Sequence, residues 1–133
     1  MEGTAGNSSI QIKNCHFDNN YALSGGAVNC SFLNPIFNNC RFTDNIAEYS
    51  GGAIWKSGNS IDSSQPFISN CFFEKNIGRG AAVFFVNVTG IHKVIDSDFY
   101  ENKVVEGNGS GGSIAFDGNL TSENSDLEIK GCH

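Results

Sequence analysis

Four copies of one pattern, [Cys/Ser]-x-Phe-x-x-Asn, run along this 133-residue chain in a fixed phase. They read Cys15-x-Phe17-x-x-Asn20, Cys40-x-Phe42-x-x-Asn45, Cys71-x-Phe73-x-x-Asn76 and Ser97-x-Phe99-x-x-Asn102. A period of this size is the mark of a solenoid, in which each repeat is one supersecondary unit stacked on the next. The Phe-to-Phe spacings of 25, 31 and 26 residues fit one full coil of a parallel β-helix, with short strands joined by turns of variable length. Equivalent residues of successive coils then lie about 4.7 to 4.9 Å apart. Phe17, Phe42, Phe73 and Phe99 are expected to form one interior row, Asn20, Asn45, Asn76 and Asn102 a second, and Cys15, Cys40, Cys71 and Ser97 a third. Stacked Asn amides bond along the axis and satisfy turn groups that burial would leave unpaired.

The parity of the repeat locates a bend. Three residues before each Cys position stands an apolar residue, Ile12, Phe37, Ile68 or Val94, and one residue before it stands Asn14, Asn39, Asn70 or Asp96. Residues three apart cannot face the same side of one flat strand. Asn and Asp tolerate positive φ better than other non-glycine residues, so a corner is predicted there. A second block follows each Asn: Gly25-Gly26-Ala27-Val28, Gly51-Gly52-Ala53-Ile54, Gly80-Ala81-Ala82-Val83 and Gly111-Gly112-Ser113-Ile114. Small residues leading into a β-branched one predict a tight corner and another buried strand. The distance from the Asn to the Ala or Ser position is 7, 8, 6 and 11 residues, so loops absorb the insertions. The approximate coils are 10–34, 35–65, 66–91 and 92–126, with a partial fifth at 127–133, all within a single unit spanning 1–133. That fifth start, "LEIKGCH", aligns with "IQIKNCH". No polar cap is evident at either end, which implies further β-helix coils at one or both ends.

Composition agrees with an all-β chain: sixteen Gly, two Pro and eleven Phe, without windows rich in Ala, Leu, Glu and Lys. A net charge of -6 argues against nucleic acid as a partner, since phosphate backbones require clustered Lys and Arg. No window offers the roughly 18 apolar residues of a membrane span, and the N-terminus lacks a signal sequence, so any export signal or anchor is expected outside this chain.

The two recurring motifs, F-x-x-N and G-G-A-[IVL], resemble the repeat signature of the chlamydial polymorphic membrane proteins and of related surface proteins, over residues 10 to 133. The third block reads GAAV, the fourth reads GGSI, and Ser97 replaces Cys, all with residue volume kept. The resemblance implies a right-handed parallel β-helix of about four coils plus the start of a fifth. It also implies a cell-surface or secreted setting, as an adhesin-like stalk that contacts a host-cell glycan or protein.

Candidate chemistry is sparse. Five Cys without any C-x-x-C pair exclude a zinc pattern and a complete intrachain disulfide framework. Ser97 in the Cys row favours small buried side chains over a metal or redox ladder. Cys30 is expected inside, beside Val28. No cofactor-binding or metal-binding motif is present, so none is expected. Right-handed β-helices also carry polysaccharide lyases and hydrolases, whose sites need convergent acids on one outward face. The outward position between Cys and Phe reads His16, Arg41, Phe72 and Asp98, which share no chemistry; Asp96 is accounted for by its corner. His92 is placed in a loop with Gly90, and His133 is terminal. Asp18, Asp44, Glu74 and Glu101 fall at mixed positions and read as a solvated face. The chain is therefore expected not to be an enzyme; the alternative is a carbohydrate-active, pectin-lyase-like β-helix with its catalytic residues elsewhere.

Trp55 and Phe84 are the candidate contact residues. Strict alternation turns both outward on neighbouring coils and puts Lys56 inside, whereas a bulge would bury Trp55 instead. Five N-x-[ST] sequons, at Asn7, Asn29, Asn87, Asn108 and Asn119, are candidate glycosylation sites in a eukaryotic secretory route.

Overall fold

The computed structural model describes residues 10–31, 33–59, 67–105, 112–118 and 125–133. Among them every regular element is a strand, and every pairing is parallel. The first coil holds β1 (Gln11–Lys13), β2 (His16–Asp18), β3 (Tyr21–Ser24) and β4 (Val28–Ser31); the second holds β5 (Ile36–Asn38), β6 (Arg41–Thr43), β7 (Ile46–Ser50) and β8 (Ile54–Asn59). The third coil runs through β9 (Ile68–Ser69), β10 (Phe72–Glu74), β11 (Ile77–Gly78) and the first half of β12 (Val83–Ile95). The second half of β12 opens the fourth coil, followed by β13 (Asp98–Tyr100), β14 (Lys103–Val104) and β15 (Ile114–Gly118), and β16 (Ser125–Lys130) begins a fifth. The chain is a parallel β-helix with four faces. Face A stacks β1, β5, β9, β12 and β16; face B stacks β2, β6, β10 and β13; face C stacks β3, β7, β11 and β14; face D stacks β4, β8, β12 and β15.

Face B carries the Phe row. Phe17, Phe42, Phe73 and Phe99 are register partners, and their rings lie parallel with centroids 4.8, 4.7 and 4.7 Å apart. Phe37, on face A, meets Phe42 edge-on at 5.6 Å, so adjoining faces interlock instead of merely touching. Ile12, Phe37, Ile68, Val94 and Ile129 form the corresponding row on face A.

Two left-handed corners flank face B. Asn14, Asn39, Asn70 and Asp96 have φ of 55, 52, 50 and 46°, and Gly131 follows them at 61°. The Cys row closes this corner from inside: the Cys40 and Cys71 thiols donate weakly to the carbonyls of Asn38 and Ser69, two residues back. Ser97 donates to Ile95 in the same way at 2.9 Å, and its oxygen also accepts the Cys71 amide at 3.1 Å. A hydroxyl of similar size therefore substitutes for the thiol without leaving a carbonyl bare. Cys40, Cys71 and Ser97 are buried, Cys15 and Cys132 less so on the outer coils. The second corner, between faces B and C, is formed by Asn19, Asp44, Lys75 and Glu101, all with φ between 50 and 54°.

The residue after that second corner is the ladder Asn. Asn45 Oδ1 accepts from both the backbone and the amide of Asn20 (3.1 and 2.9 Å), Asn76 Oδ1 does the same for Asn45, and Asn102 Oδ1 for Asn76. Each amide's second hydrogen goes to a Phe carbonyl of the preceding coil, Phe17, Phe42 or Phe73. The left-handed conformation costs about 1 to 2 kcal/mol at a non-glycine residue, and these amide bonds offset it. At the third corner Gly51 has φ 66°, and a Cβ on Gly52 would run into the Ile77 backbone of the next coil; a side chain at either position would push the coils apart.

Truncation of the two central rows is expected to separate their roles. Phe42→Ala should destabilise by roughly 3 to 5 kcal/mol through lost burial and cavity formation. Asn45→Ala should cost about 1 to 3 kcal/mol through turn groups left without partners. Urea unfolding followed by circular dichroism measures both; unchanged midpoints in both variants would contradict the interior placement of the rows.

Candidate functional site

Face D contains the residues singled out for contact. Val28, Ile54, Val83 and Ile114 are one inward row, and Asn29, Trp55, Phe84 and Ala115 the neighbouring outward row. Alternation holds: Trp55 is half-buried with its ring outward, and no bulge intervenes in β8 before Ser57. Phe84 is half-buried too, with its ring lying against Gly80, where a Cβ would strike Cδ2. Asn29 is exposed, and its side-chain oxygen accepts from the Ser31 hydroxyl at 2.9 Å. Asn87 is exposed at φ 48°, at the register shift in β12 between Val86 and Val88. Asn7, Asn108 and Asn119 lie outside the described residues.

The same alternation puts a lysine in the core. Lys56 is 0% exposed, in the inward row with Cys30 and Phe85, and its ammonium donates to the Ser57 carbonyl at 2.8 Å. Burial lowers its pKa to about 8, with the neighbouring Cys30 thiol acting in the opposite direction. Burial likewise pushes the thiols of Cys30 and Cys71 up to about 12. A thiol so poor in thiolate is an inert packing group and not a nucleophile.

His92 corrects the sequence reading. It lies in the strand β12 and not in a loop, and is buried with its ring 5.4 Å from Phe85 and 6.5 Å from Phe67. The strand runs through Gly90, which takes a φ of 82° within β12 instead of ending it. A glycine next to a polar residue looks like a turn in sequence, but the pairing of Gly90–Ile95 with β16 keeps this one extended.

Face B presents a second outward row that spacing did not bring forward. Beside His16, Arg41, Phe72 and Asp98 run Asp18, Thr43, Glu74 and Tyr100. The Thr43 hydroxyl donates to Asp18, and His16 Nε2 lies 2.8 Å from the Thr43 hydroxyl oxygen. This constellation has the members of a nucleophile, base and acid set. Its geometry is that of a brace: the hydroxyl's one proton is turned toward Asp18, and Thr43 is buried beneath its neighbours. The Thr43 bond, then that of Asn19, holds the Asp18 carboxyl below its usual range, as expected of a carboxylate fixed as an acceptor. Arg41 reaches across to Glu74 at 2.8 Å and covers the Phe72 ring at 4.6 Å. Asp44 and Glu101 are corner residues, while Asp18 and Glu74 belong to the outward row. Among the described residues, no three His, Cys, Asp or Glu side chains are grouped to hold a metal ion, and no helix is long and apolar enough to cross a membrane.

Residues 39–56 match the Chlamydia polymorphic membrane protein repeat. The matched stretch runs from the Asn39 corner through Phe42, Asn45 and the Gly51-Gly52 corner to Lys56, most of the second coil. That repeat is one described in polymorphic membrane proteins of Chlamydia, and the likeness lies within one coil of the β-helix. No curated protein and no solved structure matches the chain.

The buried lysine has a pH signature with a defined sign. Its folded pKa, near 8, lies below the unfolded value near 10.5, so the unfolded chain holds the extra proton between those values and stability rises with pH across that window. At pH 7 the charged form is buried and costs on the order of 3 kcal/mol. Lys56→Met should therefore be more stable than the natural chain at neutral pH, and the difference should shrink toward pH 10.5. Paired urea titrations at several pH values test this; a constant difference would mean that Lys56 reaches solvent.

Proposed function

We propose that this chain is a non-enzymatic, adhesin-like segment of a cell-surface or secreted protein, a stiff spacer whose outward side chains and loops contact a host-cell glycan or protein. One contrast carries the reading. The inward row of face B repeats the same residue from coil to coil, as four stacked Phe rings. The outward position beside them changes chemistry at every coil, from His16 to Arg41, Phe72 and Asp98. A face shaped for one reaction would concentrate its polar groups; here they are used up in braces and ion pairs. The match to a repeat of surface proteins supports the display setting. Trp55 is the foremost contact residue, since a half-exposed indole beside Phe84 offers a large flat area at low entropic cost.

Binding of the chain to cultured epithelial cells and to glycan arrays tests the reading, together with an assay for release of reducing ends from acidic polysaccharides. Binding without cleavage is expected, and Trp55→Ala should weaken it about tenfold, the equivalent of roughly 1.4 kcal/mol. Cleavage of a polysaccharide, or absence of binding to every surface tried, would overturn the proposal.

A further inference from the structure

Face C shows solvent a different surface from the other three. Its outward side chains form two rows along the solenoid axis. The first consists of the register partners Tyr21, Ile46, Ile77 and Lys103. The second holds Leu23, then Glu48 and Tyr49 where β7 carries an extra residue, then Arg79, whose amide bonds Tyr49, and Val105, whose amide bonds Gly78. Tyr21, Leu23 and Tyr49 are 64, 60 and 53% exposed, and Ile46 and Val105 are exposed as well. These five are half of the ten large apolar side chains that stand exposed among the described residues. Two of its three charged groups are tied to its aromatics: the Tyr21 hydroxyl donates to Glu48, and the Arg79 guanidinium lies 5.7 Å from the Tyr49 ring. Surface of this kind, aliphatic and aromatic with few charges at its edges, marks a protein-binding patch more than a sugar platform, which needs polar groups free to meet hydroxyls.

We propose that face C pairs with the same face of a second copy of this chain. The order of residues along the axis carries the assignment. A two-fold axis lying in the interface, parallel to the strands and midway between β7 and β11, sets the first coil against the fourth and the second against the third, with each row opposite itself. Ile46 then meets Ile77 of the second copy, Leu23 meets Val105, Tyr21 meets Lys103, and Glu48 with Tyr49 meets Arg79. Apolar faces apolar, acid faces base, and aromatic faces cation at every position. The other simple arrangement, with the two-fold parallel to the solenoid axis, sets each row against the other row of the same coil. It places Arg79 on Ile77, Glu48 on Ile46 and Lys103 on Val105, burying charge against hydrocarbon at three positions. The residue order fits the first axis alone, and the two solenoids therefore lie antiparallel, with facing sheets about 10 Å apart. This pairing is independent of the adhesive reading, because Trp55 lies on face D.

Sedimentation equilibrium of the chain from about 1 µM to about 500 µM reads the association directly. A monomer–dimer equilibrium is expected, with Ile46→Lys weakening it by about tenfold or more, the scale of a central interface residue. Glu48→Arg and Arg79→Glu should each weaken it, and the double variant should restore it, because every exchanged charge again meets its opposite. All three positions are exposed, and circular dichroism melts should confirm that the variants stay folded. Three results would overturn the proposal: a monomer at every concentration, association indifferent to these substitutions as expected of stacking through coil ends, or charge reversals that do not rescue one another. A monomer whose binding to cells or glycans is lost on Ile46→Lys would likewise overturn it, and would assign the face to a foreign partner.

Discussion

The hydrogen bonds that run parallel to the solenoid axis are the constraint from which the remaining geometry follows. Asn76 illustrates it: its side-chain oxygen takes two donors from Asn45, and its amide gives one hydrogen to Asn102 and one to the carbonyl of Phe42. All of its polar capacity is spent along the stack. For that to happen, the backbone before it must adopt a left-handed conformation, even where the residue is Lys75 or Glu101. Once the corner is fixed, the Phe three residues earlier can only turn inward, and its ring falls onto the ring of the neighbouring coil. The interior is thus organised from its polar edge and then filled with hydrocarbon.

The interior was legible in the sequence because stacking demands identity. Rows of Phe and Asn recur at constant offsets, and the Asn14, Asn39, Asn70 and Asp96 corner is written in residues that accept positive φ. The neighbouring corner escaped notice for a physical reason: Lys75 and Glu101 carry no intrinsic preference for that conformation, and tertiary bonds impose it on them. Lys56 and His92 show the same limit from the other side. Their polarity argues for exposure, yet strand alternation and the pairing of β12 with its neighbours place both inside. The second outward row of face B and the apolar rows of face C were equally hidden. Their members share no residue type, so only the assembled register brings Asp18, Thr43 and His16, or Ile46 and Ile77, together.

Chemistry and shape are divided between the two sides of the wall. Each strand is only two to six residues long, β12 excepted, and alternation gives every face one or two outward side chains per coil. Such a face cannot gather a dense reactive cluster from one repeat; it builds function from what adjacent coils place side by side. On face B those neighbours neutralise each other through the Thr43 brace and the Arg41–Glu74 pair. On faces C and D they leave aromatic and aliphatic surface open. The proposed contact role draws on that surface, left unspent once the internal bonds are made.

β12 adds a property that uniform coils would lack. Its thirteen residues cross from face D to face A within one strand that bends at Asn87 and Gly90, so the third and fourth coils share one continuous strand. Elsewhere a coil could peel from its neighbour by opening a turn; here peeling must break a single strand bonded on two faces at once. The solenoid is therefore spliced between its third and fourth coils, and loosening that starts on either side must break bonds on two faces before it can pass this strand.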